Sequence, residues 1–386
     1  MRNVGIIGVG QTKFDEHWDK SLRDLIVEAG VRAIADSGME KKSINALFVG
    51  SMSGGRFVGQ EHLGALAADH LGLGHIPATR FEGACASGSL AFRHAYTAVA
   101  GGTYDVALVL GAEKMTDIAG AGVLTTLAAA GDEEWEATIG MTFAGLYALM
   151  ARKHMHDFGT TKEHLAAVAV TNHKHAVKNP YAQFPSEVTL QEVMHASMIA
   201  EPLGLLDCSP ISDGAAAVVI AAEDIAKKTK HPVWVLGSGQ GSDTLALHDR
   251  KSFTELAATK AAARMAFTQA GVTTNDISAL EVHDCFTINQ IIALEDLGYC
   301  PKGKGGQFVA EGQCDLNGTI PTNTTGGLKG CGHPVGATGI RQILDLTKQL
   351  RGDSINQLKN PKYGMNLNIG GSGATAVVHI LGREME

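Results

Sequence analysis

Aromatic side chains are scarce in this chain of 386 residues, at 5%, and positive charge is not in excess: 32 Lys and Arg face 40 Asp and Glu, a formal net charge of −8. Without a long basic run or many rings for bases to stack on, the chain is excluded as a broad nucleic-acid platform. No stretch approaches 18 uncharged apolar residues, so no membrane-spanning helix is expected. The N-terminal MRNVGIIGVGQTKF lacks the longer apolar core and small-residue cleavage site of a secretory signal. Cysteines number six, at 85, 208, 285, 300, 314 and 331, too dispersed for a disulfide framework; they read as free thiols in a reducing cytoplasm. What abounds is glycine, with 47 copies and no collagen-like period, which implies tight turns and close backbone approaches. The length exceeds the size at which one hydrophobic core stops growing, so two domains or a duplicated one are expected.

Strand-like runs alternate with alanine-rich helical stretches, the pattern of the α/β class. Val4 to Val9 reads as a strand, residues 21–36 as a helix with Leu22, Leu25, Ile26, Ala29, Ala33 and Ile34 on one face, and Ile44 to Val49 as the next strand. A helix over 86–100 and a strand from Val106 to Leu110 follow. The second half repeats this order. Gly38 and Gly271, each ending a helix, lie 233 residues apart, as do Ile44 and Ile277, each opening a strand. Gly88 answers Gly336, and Tyr104 answers Tyr363 at a spacing of 259. Asp213-Gly-Ala-Ala-Ala-Val-Val then answers Ser372-Gly-Ala-Thr-Ala-Val-Val at only 159, so the first half carries about a hundred extra residues before its last strand. The expected boundaries are a first half over 1–112, an inserted domain over 113–212, a last strand and linker over 213–228, and a second half over 229–386. Two such halves pack about a pseudo-dyad, and equivalent loops meet in one cleft.

Chemistry is expected at those loops. Cys85, in Glu-Gly-Ala-Cys-Ala-Ser-Gly, opens an apolar helix whose dipole and N–H groups favour a nucleophilic thiolate, although a buried cysteine also serves as a small hydrophobe. In His283-Asp-Cys285-Phe286, alternation sends His283 and Cys285 to one side. The run Gly-Gly-Leu-Lys-Gly-Cys-Gly-His-Pro-Val-Gly from 326 to 336 holds His333 at a helix entry, as the counterpart of Cys85. Asn368-Ile-Gly-Gly-Ser-Gly offers backbone N–H groups to polarise a carbonyl. His283, Cys285, Cys331 and His333 also form a zinc inventory, but their one-residue spacings are unlike the usual knuckle and no metal is assigned. Gly8-Val-Gly10 lacks the third glycine of a dinucleotide loop. His154, His156, His173 and His175, in a polar helical context, read as surface histidines, and Cys208, Cys300 and Cys314 as structural.

With CASG at 85–88, HDCF at 283–286, GHPVGATG at 332–339 and NIGGSGA at 368–374, the sequence resembles the thiolases over essentially its whole length. More narrowly it is similar to archaeal acetoacetyl-CoA thiolases, which are acetyl-CoA C-acetyltransferases, and to sterol-carrier-protein thiolases. The resemblance implies two βαβαβαββ halves in a five-layered αβαβα sandwich with an inserted loop domain. It implies Cys85 as the nucleophile, activated by His333. The acid/base cysteine that many thiolases carry in a C-terminal CxG motif is replaced here by Asn368, so that role passes to Cys285, with His283 polarising the thioester oxygen. The resemblance further implies an oxyanion site from the N–H groups of Cys85 and Gly370, with Ser209 and Phe286 as pocket residues for coenzyme A. Coenzyme A thioesters are then substrates, with no permanently bound cofactor, and acetyl-CoA and acetoacetyl-CoA are the small-molecule partners. A homodimer or tetramer is implied, and so is a complex with hydroxymethylglutaryl-CoA synthase and a small zinc-containing OB-fold protein, at the head of the mevalonate pathway. A decarboxylating β-ketoacyl synthase with a Cys-His-His site and a non-catalytic acyl-CoA-binding scaffold are the alternatives.

Overall fold

The computed structural model describes residues 2–385. The eleven strands are β1 (Val4–Gln11), β2 (Ala46–Gly50), β3 (Ala78–Phe81), β4 (Val106–Glu113), β5 (Met198–Ala200), β6 (Leu203–Gly204), β7 (Gly214–Ala222), β8 (Val233–Ser242), β9 (Ile277–Glu281), β10 (Tyr363–Gly370) and β11 (Thr375–Gly382). In the first half the order is β3-β2-β4-β7-β1, with β2 parallel to β3 and β4, and β7 antiparallel to both β4 and β1. In the second half β9, β10, β11 and β8 repeat β2, β4, β7 and β1, and a parallel bridge from Leu280 to Thr322 stands where β3 would recur. The halves join edge to edge through two pairs, Gly5–Trp234 and Ile6–Val233.

Local chemistry sets most boundaries. The helix Leu22–Ser37 starts at Ser21, whose hydroxyl accepts from Asp24 N–H while the Asp24 carboxylate accepts from Ser21 N–H, and it stops at left-handed Gly38. Gly271 stops the helix Ala257–Ala270 in the same conformation, so the two glycines aligned in sequence perform one task. The strand expected from Ile44 begins two residues later, because Lys41–Ser43 form a 3₁₀ turn and the Asn45 side chain accepts from the N–H groups of Asp105 and Val106.

Leu22–Ser37 covers the outer face of the first half and Ala257–Ala270 that of the second. Between the halves lie the helices Ser87–Ala100 and Thr338–Arg351, which complete five layers. All but Lys348 and Arg351 of the fourteen residues in Thr338–Arg351 are buried. Ile340, Ile343 and Leu344 sit fully inside, each worth about 1.5–3 kcal/mol relative to exposure. Gly88 and Gly336 meet at the dyad: a Cβ on Gly88 would lie 2.7 Å from Gly336 O.

Between β4 and β7, residues 114–213 form the helices Gly120–Ala128, Phe143–Phe158, Lys162–Ala176 and Leu190–His195 and the β5–β6 hairpin. This excursion from the first half packs on the second. Lys162–Ala176 lies against Thr287–Asp296 and Gly327–Cys331, and Leu146, Tyr147, Met150, Leu165 and Val168 join the core of the C-terminal half. That docking corrects the surface assignment of three histidines. His154 is fully buried, bonded to Thr160 Oγ1 at 2.7 Å and Glu295 Oε2 at 3.1 Å; His173 and His175 are buried against the carbonyls of Ser186 and Asn323; His156 is exposed. Helical periodicity cannot identify a second buried face, because it does not say what covers it. Among the described residues no helix is long and apolar enough to cross a membrane.

Candidate active site

β3 delivers the chain to a strained turn ahead of Ser87–Ala100. Ala84 has φ +52°, a conformation costing a non-glycine residue ~1–3 kcal/mol, and Cys85 occupies the 3₁₀ turn Ala84–Ala86. Ser87 Oγ accepts from Gly83 N–H at 3.0 Å and donates to Ala84 O at 2.6 Å, and the Glu82 carboxylate accepts from Ala84 N–H at 2.6 Å. The turn thus holds the sulfur toward the cleft, where the Gly371 N–H donates to it. The expectation of a lowered thiol pKa is overturned: burial outweighs that hydrogen bond and pushes Cys85 up to about 12. At neutral pH it is a thiol, so to act as a nucleophile it would need a neighbouring base to take its proton.

His333 meets that need. Its N–H donates to Ser212 Oγ at 2.9 Å, and its Nδ1 lies 2.7 Å from Thr338 Oγ1. Since the Thr338 hydroxyl donates to Pro334 O, it accepts from Nδ1–H, which leaves the Nε2 lone pair free. Gly332, at φ +105°, brings the loop in so closely that a Cβ there would lie 2.7 Å from Ser212 Oγ. His283 carries the opposite tautomer: its Nδ1 accepts from Asn368 Nδ2 at 3.0 Å, so its Nε2 bears the hydrogen. The two rings are edge to face, 5.0 Å between centroids, and both Nε2 atoms are buried without a hydrogen-bond partner among the described residues. Burial keeps both uncharged, taking His333 down to about 3 and His283 well below the usual imidazole range, with His333 and Arg341 adding to the effect at His283. The pair supplies one acceptor and one neutral donor.

Asp284 points away from the cleft. Its carboxylate accepts from Leu328 N–H at 2.7 Å, Lys329 N–H at 3.2 Å and Asn172 Nδ2 at 2.7 Å, tying the loop after β9 to the His333 loop and the inserted region. Cys285 faces inward beside Cys85, its carbonyl accepting from Ser209 N–H at 2.8 Å. Its thiol is raised well above the ordinary value by burial and then by the neighbouring Cys85, while a hydrogen bond to the Tyr147 hydroxyl acts the other way.

Cys85, Cys285, His333, Ser209 and Phe286 all line one cavity of ≈ 190 Å³, with mostly apolar walls from Leu127, Phe143 and Val335. His283 is not among the lining residues, but one of its ring nitrogens lies within 4.8 Å of Cys85 Sγ, at the edge of the cavity. The glycine that reaches the cavity is Gly371, one position beyond Gly370, which ends β10 with its Cβ direction closed by Gly83 O. A larger open groove of ≈ 770 Å³, lined in part by Asp36, Asn45, Asp105 and Lys228, lies away from these residues and has no cysteine or histidine in its lining. The four-residue zinc set is not assembled. Cys331 is buried elsewhere, donating to Thr325 O and accepting from Asn179 Nδ2, and the donors that do converge are those of Cys85, His283 and His333, all within 4.8 Å of one another. The sequence did not point to Tyr147 or Thr338. Tyr147 is a lone tyrosine in the apolar first half of its helix, and only the docking of that helix brings it to Cys285.

The chain is similar to known proteins over nearly its whole length. The family model for the thiolase N-terminal domain matches residues 4–224, and the thiolase C-terminal domain-like model matches 239–383. An acetyl-CoA acetyltransferase of Methanothermobacter thermautotrophicus is 53% identical over 385 residues, covering 99% of this chain and 100% of that protein. Human sterol carrier protein 2 is 33% identical over 394 residues, covering 98% of this chain and 71% of that one. Among solved structures, the Ltp2-ChsH2(DUF35) aldolase superposes with a TM-score of 0.84 at 28% identity, covering 99% of both chains. With both halves matched in order and the loops of both halves closing on one cysteine, this chain belongs to the thiolase family.

Proposed function

We propose that the protein is an acetyl-CoA C-acetyltransferase, joining two acetyl-CoA into acetoacetyl-CoA and coenzyme A, reversibly, through an acetyl-Cys85 intermediate. The observation that carries this is the convergence of the Cys85, His283 and His333 donor atoms within 4.8 Å, with Cys285 in the same cavity wall. The acetyl-CoA acetyltransferase relative at 53% identity supports the substrate.

In the first half-reaction the Cys85 proton passes to His333 Nε2 as the sulfur attacks the thioester carbon, and the coenzyme A thiolate leaves with the proton of Cys285. The N–H of Gly371, which meets the sulfur in the free enzyme, and that of Cys85 serve the tetrahedral oxyanion. The Cys285 thiolate then removes an α-proton from a second acetyl-CoA, whose enolate oxygen accepts a hydrogen bond from His283 Nε2–H, which keeps its proton. The enolate carbon attacks the acetyl carbon, Cys85 departs, and the His333 imidazolium returns its proton. Each group ends as it began.

The same reading extends to a homodimer or tetramer in the cytoplasm, acting at the head of the mevalonate pathway, and to a complex with hydroxymethylglutaryl-CoA synthase and a small OB-fold protein. For a protein partner the support is the solved relative titled Ltp2-ChsH2(DUF35) aldolase, together with exposed Leu124, Ile199 and Leu205 at the cavity. Because one fold hosts several chemistries, the deciding experiment is acyl trapping. Labelled acetyl-CoA is expected to place one acetyl group on each chain, none on Cys85→Ala, and acetoacetyl-CoA is expected from acetyl-CoA alone. No label on Cys85, or product only when a malonyl thioester is supplied, would overturn the assignment.

A further inference from the structure

Tyr147 is fully buried in the helix Phe143–Phe158, whose first turn is capped by Thr142 Oγ1 accepting from Gly145 N–H at 3.2 Å. Its ring stacks on Phe286, 4.6 Å between centroids, and its edge forms part of the cavity wall. The hydroxyl donates to Gly371 O at 3.1 Å, and Tyr147 shares the cavity wall with Cys285, close enough for its hydroxyl to act on the Cys285 thiol. A phenol has one hydrogen. With that hydrogen on Gly371 O, the phenol oxygen has only lone pairs to offer the neighbouring Cys285 thiol.

We propose that Tyr147 manages the proton of Cys285: it receives the S–H while the sulfur is neutral, and turns its own O–H from Gly371 O to the sulfur once that becomes a thiolate. This rests on the reading of Cys285 as the acid/base group. No proton leaves Tyr147. The S–H bond breaks toward the departing coenzyme A thiolate, a new S–H bond forms as the Cα–H bond breaks, and the phenol O–H stays intact while changing partner. Burial holds the phenol well above its ordinary pKa, which keeps it a donor. The groups facing Cys285 make that donor necessary. Asp284 on its own loop opposes a thiolate, Cys85 across the cleft is uncharged as a thiol or acetyl thioester, and the favourable groups are the Tyr147 hydroxyl and the Phe286 N–H; Arg250 lies toward Tyr147. Gly371 links the two sulfurs, its carbonyl to Tyr147 and its N–H to Cys85.

The test uses the full chain with Y147F and C285A in parallel. Phe keeps the stack on Phe286 and loses only the hydroxyl. Y147F is expected to reach the full acetyl-Cys85 amplitude, to lose roughly 10- to 100-fold in condensation kcat, as befits one hydrogen bond to a charged group, and to leave KM little changed. Its condensation rate is expected to need a pH higher by roughly one to two units, because the thiolate has lost its donor. C285A is expected to acylate without condensing at any pH. If C285A loses condensation but Y147F keeps the wild-type pH profile, the role of Tyr147 is wrong. If C285A still condenses, the reading of Cys285 itself fails. Ultraviolet titration of the Cys285 thiolate in a Cys85→Ala background, with and without Y147F, reads the same shift without turnover; coincident curves would overturn the proposal.

Discussion

Asn368 Nδ2 donates to His283 Nδ1 at 3.0 Å, and this bond decides that His283 presents a hydrogen, not a lone pair, beside His333. An aspartate there can only accept, which forces the proton onto Nδ1 and leaves Nε2 without one. Asn368→Asp is therefore expected to lower condensation roughly 10²-fold, the order for loss of an oxyanion donor, while acetyl-Cys85 still forms. Rapid-quench acylation beside steady-state condensation measures both; equal losses in the two steps would contradict a role confined to the enolate.

Cys85 at about 12 and His333 at about 3 leave the pair in one uncharged state over a broad interval. Neither group changes protonation between about pH 5 and pH 9, so single-turnover acylation is expected to be nearly flat there. Alkylation of Cys85 by iodoacetamide in the free enzyme is expected to be slow at pH 7 for the same reason. Acylation that climbs tenfold per pH unit through that range would show a preformed thiolate to be required.

Glu113, near Cys85, accepts from Met52 N–H at 2.7 Å, Ser53 N–H at 3.2 Å and Ser51 Oγ at 3.1 Å, yet burial raises its pKa from 4.5 to about 7. A folded-state value above the unfolded one contributes stability that is complete below about pH 4.5 and is lost as the pH rises through about 7, a change of ~3 kcal/mol. Glu113→Gln keeps an acceptor and cannot ionise, so the wild type is expected to lose thermal stability relative to the variant between pH 5 and pH 8. Parallel melting curves across that range would contradict the buried carboxyl.

Gly88→Ala is expected to destabilise by at least ~1–3 kcal/mol, because its Cβ would lie 2.7 Å from the carbonyl of Gly336, which is backbone and cannot turn aside. Thermal melting and acylation amplitude are both expected to fall, since the contact sits directly after the Cys85 turn. An unchanged melting temperature would mean that the two central helices do not meet so closely.

The duplication was legible because it rests on local chemistry repeated twice. Gly38 and Gly271 are both left-handed helix stops, and Gly88 and Gly336 both lack a side chain where their loops touch. The buried face of Thr338–Arg351 was not legible. Its Arg341, Gln342, Asp345 and Gln349 look like a solvated surface and are instead held inside, with Arg341 paired to Asp345 at 2.5 Å. His154 misled for the same reason, its Glu295 partner lying 141 residues away.

The sequence alone determined the α/β class and the repeated halves, because spacing, turn residues and helix caps act over a few neighbouring positions, and it offered Cys85, His283, Cys285 and His333 as candidates, the roles of Cys285 and His283 through the resemblance to thiolases. Tertiary structure decided how those groups behave. Burial made Cys85 a thiol and both histidines neutral, Asn368 and Thr338 gave the histidines opposite tautomers, and the docking of a helix from the inserted region brought the Tyr147 hydroxyl to Cys285. Desolvation and long-range hydrogen bonds depend on what covers a residue, and that is fixed only when distant segments close over it.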